Sequence, residues 1–158
     1  MARLSDLLVS LLIIGTATST TSTQSFHNLV GKAREVEAKI IIGSIITLQQ
    51  PFLIENQRFA STLEELALGI PAKTENYEYK VFALEQTQAI VTAKARQRGA
   101  RSYTGAVFVV KDNTLGNSIA FAMCETEQPS PTPPVMPQMP QSSGHKTQCP
   151  SGSKQLGG

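Results

Sequence analysis

Residues 26–56 constrain the fold of this chain most. Leu29, Val30, Ala33, Val36, Ile40, Ile41, Gly43, Ile45, Leu48 and Phe52 recur with the three-and-four spacing of an amphipathic helix. Lys32, Arg34, Glu35, Glu37 and Lys39 fall mainly on the other face. From residue 40 to 46 the sequence reads IIIGSII, apolar nearly all round. A helix with no polar side is buried on more than one side, for example against a sheet and against a neighbouring subunit. Pro51 has no N–H to donate and crowds the preceding turn, so the helix is expected to end or kink near Gln50.

After Gly69 the period changes to two. Tyr77, Tyr79, Val81 and Ala83 alternate with polar residues, as do Ala89, Val91 and Ala93, then residues 103–110 and 119–123. Turn residues separate them at 85–87, 98–101 and 112–117. Four strands joined by short connections are antiparallel neighbours. One face of such a sheet must be covered, and the helix of residues 26–56 is the long apolar element available to cover it. The expected fold is α+β. Between helix and sheet, Ser61-Thr62-Leu63-Glu64 reads as a capping box opening a short helix that closes at Gly69, with Pro71 following. Glu64 and Glu65 read as its solvated face.

Residues 4–17, LSDLLVSLLIIGTA, form a second apolar stretch, too short to span a bilayer as about 20 residues would. Three readings are open: a spanning segment, a cleaved secretory signal, or a helix packed among identical helices. Asp6 favours the third, because a carboxylate in apolar surroundings is costly unless it has a partner. Residues 16–25, TATSTTSTQS, are rich in β-branched and hydroxyl side chains, which serve helix interiors poorly. A weak or broken helix, or a flexible linker, is expected there.

Residues 125–158 differ again. Pro129, Pro131, Pro133, Pro134, Pro137 and Pro140 lie among Ser, Gln and Gly, so neither helix nor sheet is expected and the segment should be extended or mobile. The chain's two cysteines are Cys124 and Cys149. With His27 and His145 the only histidines, a zinc site is poorly supplied. A single disulfide, formed in an oxidising compartment, is the better reading, and two free thiols in a disordered tail the alternative. Three segments are thus expected: 1–25, 26–124 and 125–158.

With 158 residues the chain can bury one ordinary core, and its net charge of +2 gives no field to draw nucleic acid. Lys94, Arg96, Arg98 and Arg101 cluster, but most simply on a solvated turn. No Ser or Cys has a His/Asp partner by motif and there is no Gly-rich phosphate loop, so an enzyme is not expected, nor any catalytic residue, metal or cofactor.

Residues 32–79, KAREVEAKIIIGSIITLQQPFLIENQRFASTLEELALGIPAKTENYEY, resemble type IV pilins, and specifically the type IV pilin-like G/H proteins of cyanobacteria. SYTGAVFVV at 102–110 and the late cysteine pair fit the same family. Counting Ala2 as the first mature residue, ARLSDLLVSLLIIG stands where pilins carry a sequence close to FTLIELLVVIIIIG. It departs in having Ala for Phe, Asp6 for Glu, only Met1 where a leader would be, and no proline in the Ser/Thr run.

The resemblance implies a pilin-like fold: a long N-terminal helix packed on a four-stranded antiparallel sheet, with a Pro-rich C-terminal loop bracketed by Cys124 and Cys149. It implies an anchor helix through Leu7, Leu8, Leu11, Leu12, Ile13 and Ile14. Asp6 would pair with the amino group of Ala2 on a neighbouring subunit. Its partners would be other pilin subunits, the pilus or secretion assembly machinery and the inner membrane, with the body in the periplasm or in an extracellular pilus. The chain would be a minor pilin or pseudopilin of a type IV pilus or type II-like secretion machine. The alternative is a soluble periplasmic or secreted binding module with a cleaved signal, its Pro-rich loop serving as the contact surface.

Overall fold

The computed structural model describes residues 20–84, 86–112, 116–142 and 144–157. One long helix, α1 (Thr20–Asn56), lies across an antiparallel sheet of β1 (Tyr77–Leu84), β2 (Gln88–Ala95), β3 (Tyr103–Asp112), β4 (Gly116–Thr126) and β5 (Ser153–Gln155). The strands stand side by side in chain order. The sequence predicts four of them.

The fifth, β5, lies in the segment from which no sheet is expected. Its three residues pair with Cys124, Glu125 and Thr126. The prolines that forbid a ladder stop at Pro150, and Gly152, at φ 80°, turns the chain back onto β4.

The helix departs from expectation at both ends. It already includes residues 20–25 of the Ser/Thr run, where a weak or broken helix is expected. It also runs on past Pro51 to Asn56. Pro51 deprives the Thr47 carbonyl of its donor, but both residues lie on the exposed side, where water can take that role. Beyond the proline, Phe52 and Leu53 pack on the core and hold the last turn in place. The end is then closed by Asn56 Nδ2 donating to the Phe52 carbonyl and by Gln57, at φ 55°, donating its N–H to the Leu53 carbonyl at 2.9 Å.

Ile42, Ile45 and Ile46 of α1 pack against Tyr77, Tyr79, Val91, Tyr103 and Val107, the inward residues of β1, β2 and β3. Gly105 opens the space for this contact. A Cβ there would lie 2.7 Å from Ile46 Cδ1 and 2.8 Å from both Ile42 Cγ2 and Val91 Cγ1.

The other face of the sheet carries a second, smaller core of Ala106, Phe108 and Val110, joined by Ala120 and Met136. Met136 belongs to the Pro-rich segment, which is packed down rather than loose. Pro137 and Pro140 are buried, Pro134 is half-buried, and Thr132, Val135, Gln138 and Gln141 face solvent. Burial every third residue matches the three-residue turn of a polyproline helix. Prolines supply carbonyls but no N–H, so the sheet must bring the donors. Thr104 Oγ1 donates to the Pro134 carbonyl at 2.6 Å and Ser102 Oγ to the Ser130 carbonyl at 2.5 Å. The Cys124–Cys149 disulfide pins the returning limb, its Cα atoms 5.7 Å apart.

The capping pair is shifted by one residue from the predicted box. Glu65 N–H donates to Thr62 Oγ1, and Glu65 Oε2 accepts the Ser61 N–H at 2.7 Å. The capped element is a single 3-10 turn, Glu64–Leu66, closed at Ala67 (φ 51°) rather than at Gly69.

Candidate functional site

Two surfaces of α1 carry the features that matter for function: the inner one that clasps the sheet and the outer one that no other described residue covers. The inner one is polar at its N-terminal end. Glu35 is buried, with Arg101 Nη1 at 3.4 Å. The Glu37 carboxylate accepts hydrogen bonds from Thr74 Oγ1 (2.7 Å), Asn76 Nδ2 (2.7 Å) and Tyr79 Oη (3.3 Å). Lys39 Nζ lies 3.1 Å from Glu125 of β4, whose other oxygen meets Lys154 of β5 at 2.8 Å. Glu125 is only 2% exposed. Burial works to raise its carboxyl pKa, but hydrogen bonds from Lys154 and Lys39, with the Lys39 charge, hold it below the ordinary range.

Tyr77, Tyr79 and Tyr103 complete this end of the core, with ring centroids about 6 Å apart along the row. Burial pushes all three phenols well up, and the neighbouring carboxylates Glu35, Glu37 and Glu125 push in the same direction. These groups hold the helix on the sheet. Among the described residues no cluster of three or more His, Cys, Asp or Glu could hold a metal ion.

The outer surface is apolar. Phe26, Leu29, Val36, Ile40 and Ile54 are exposed large side chains on α1. Their spacings of 3, 7, 4 and 14 residues place them on one stripe of the helix. The stripe includes Ile40 from the IIIGSII stretch. Ile42, Ile45 and Ile46 of that stretch turn to the sheet, so its second side is left without a cover among the described residues.

The predicted assembly residues Ala2 and Asp6 and the anchor residues Leu7, Leu8, Leu11, Leu12, Ile13 and Ile14 lie outside the described residues. No described helix is long and apolar enough to cross a membrane. Cys124 and Cys149 are bonded to each other. His145, in the Pro-rich segment, has Ser142 Oγ 2.6 Å from its Nδ1 and is exposed.

The basic cluster is dispersed. Arg101 pairs with Glu35, Arg96 Nη1 donates to the Thr74 carbonyl, and Lys94 and Arg98 face solvent. Glu65 is more than a solvated side chain. The hydrogen bond from Arg58 Nη2, at 2.6 Å, together with that from the Ser61 N–H, lowers its pKa to about 2.

Sequence reasoning missed the clasp. One signal was present: strand alternation through Ile119, Phe121 and Met123 puts Glu125 on the inward face, where an acid needs a cation.

The sequence model of the type IV pilin-like G and H family matches residues 35–150. No curated protein and no solved structure matches the chain. The match takes in α1 from Glu35 onward, strands β1 to β4 and the disulfide-pinned Pro-rich segment, most of the chain, and the protein belongs to the type IV pilin-like G and H family.

Proposed function

We propose that this protein is a structural subunit, a minor pilin or pseudopilin, of a type IV pilus or type II-like secretion machine. It works by lateral packing of its N-terminal helix and has no chemistry of its own. The observation that carries this reading is the uncovered apolar stripe of α1, from Phe26 through Ile40 to Ile54. Exposed apolar side chains recurring on one side of a helix mark an interaction surface. Family membership supports the same reading.

In this reading residues 1–25 are the handle, 26–124 the body and 125–158 the disulfide-held loop. Leu7, Leu8, Leu11, Leu12, Ile13 and Ile14 anchor the handle in the inner membrane before assembly. Asp6 pairs with the amino group of Ala2 on a neighbour. The body lies in the periplasm, or on an extracellular pilus after assembly. Its partners are other pilin subunits and the assembly machinery.

The soluble-module alternative gives the Pro-rich segment as its contact surface. Pro137 and Pro140 are turned onto the sheet while Pro129 and Pro131 are exposed, so the segment offers a partner only part of its proline ridge. Deleting residues 2–25 tests the proposal. The truncated body is expected to leave the membrane and filament fraction entirely. Identical fractionation of truncated and intact protein contradicts the proposal.

A further inference from the structure

We propose that the groove between α1 and the edge of β4 is an acceptor for the α1 shaft of a second copy, with Phe26 and Leu29 as the inserted side chains. This rests on the helix-borne assembly proposed above and adds to it a site on the body.

The acceptor is a gap in an otherwise closed layer. Strand β5 pairs only with the end of β4, at Cys124–Thr126. Beyond it, Ile119 and Phe121 project on the helix-bearing face, and Gly43 and Thr47 of α1 oppose them across a groove of about 250 Å³ that Met123 also lines. Every residue lining the groove is uncharged. Phe121 points to the same face as Val107, its partner on β3, yet Val107 is buried and Phe121 is 65% exposed. The edge of β4 itself is partly used. Thr147 Oγ1 donates to the Phe121 carbonyl at 3.0 Å and the Leu156 N–H to the Met123 carbonyl at 2.8 Å. A side chain entering from the helix side therefore suits this place better than an added strand.

The donor is the start of α1. The described part of the helix starts at Thr20, and Gly31, beside the Gly99 carbonyl, is the first residue on it described as buried. The stretch before Gly31 is about 16 Å of helix. Residues 20–30 contain no Asp, Glu, Lys or Arg. Phe26 and Leu29 stand on it 66% and 62% exposed. An uncharged shaft and an uncharged groove match in polarity.

Donor and acceptor lie on the same helix, Leu29 fourteen residues before Gly43. With two helices running in the same direction, docking staggers the copies by roughly 21 Å. The contact is heterologous, so each copy can give and receive, and it extends beyond two copies unless the rotation closes a ring.

Cross-linking of the full chain in isolated membranes tests this, because the native cysteines are already bonded to each other. Leu29→Cys combined with Phe121→Cys is expected to give, on oxidation, a ladder of dimers, trimers and larger species. Leu29→Cys combined with Phe82→Cys, on the opposite face of the sheet, is expected to give no such ladder. Leu29→Cys alone reports direct helix-to-helix contact. If it cross-links alone and adding Phe121→Cys produces no ladder, the groove proposal is overturned while helix-borne assembly stands. An equal ladder with Phe82→Cys also overturns the groove proposal. If no combination cross-links, both readings fall.

Discussion

Lys39 of α1 and Glu125 of β4 stand 3.1 Å apart, and the same carboxylate takes Lys154 of β5 at 2.8 Å. One buried acid thus ties the helix to the last strand across the layer between them. Both lysines are partly exposed and can return to water when the acid is removed, which limits the penalty. Glu125→Gln is expected to destabilise the body by about 1–3 kcal/mol in urea unfolding. An unchanged midpoint would mean that the clasp contributes nothing.

The carboxyl groups of Glu125 and Glu65 both titrate below their ordinary range in the folded protein, Glu65 at about 2. A depressed folded value adds stability above the unfolded pKa, and that stability is lost as pH falls through the folded one. Unfolding midpoints should therefore hold steady down to about pH 4.5 and then decline toward pH 2. Glu125→Gln should flatten part of the decline. A midpoint that rises on acidification would contradict the assignment.

At the alkaline end the three tyrosines of the chain are all in the buried row. Their folded pKa values are raised, so the fold loses stability once the unfolded chain can ionise, above about pH 10. Tyrosinate absorbance should appear in one cooperative step coincident with loss of circular dichroism. A gradual non-cooperative rise centred near pH 10 would place at least one phenol in solvent.

The Pro-rich segment is held by its disulfide and by hydroxyl donors on the sheet. Replacing Cys124 and Cys149 together by Ala is expected to cost about 3 kcal/mol, from the 25-residue separation of the pair. The variant should also bind a hydrophobic dye at the uncovered Ala106–Phe108–Val110 face. Thr104→Val leaves the half-buried Pro134 carbonyl without its donor and should speed proteolysis within residues 130–142. Equal cleavage of wild type and variant would show that the hydroxyl is not what holds the segment.

Gly105→Ala would push a methyl group into Ile42, Ile46 and Val91. The Ile46 methyl is a chain end and can move, but the other two contacts are at β-branched Cβ positions with little freedom. A loss of about 1–3 kcal/mol is expected, read as a lower thermal midpoint. A neutral result would indicate that helix and sheet can separate without cost.

Much of this fold is legible in the sequence, because it follows from periodicity. The three-and-four spacing through Ile40 to Phe52 defines the helix, and alternation from Tyr77 onward defines four strands. The proline density of residues 129–140 correctly excludes helix. The features that could not be read depend on contacts distant in sequence. Helix α1 outlasts Pro51 because Phe52 and Leu53 have a core to pack on. The strand Ser153–Gln155 is too short to leave a pattern and forms only because the chain is pinned nearby at Cys149. The polyproline segment looks mobile until Ser102 and Thr104 are seen to supply its carbonyls with donors. The candidate assembly surface was half legible: IIIGSII demands burial on two sides, but only the fold shows that Ile40 is the side left over.

The central claim is that α1 assembles with other subunits through that outer stripe. The direct measurement is the distribution of full-length Val36→Asp/Ile40→Asp between the membrane-and-filament fraction and the soluble fraction, beside the wild type. Both positions face away from the sheet, so the body should fold with an unchanged thermal midpoint. The account predicts that the folded variant is lost from the filament fraction. Full incorporation of the variant, with its fold intact, would contradict the account.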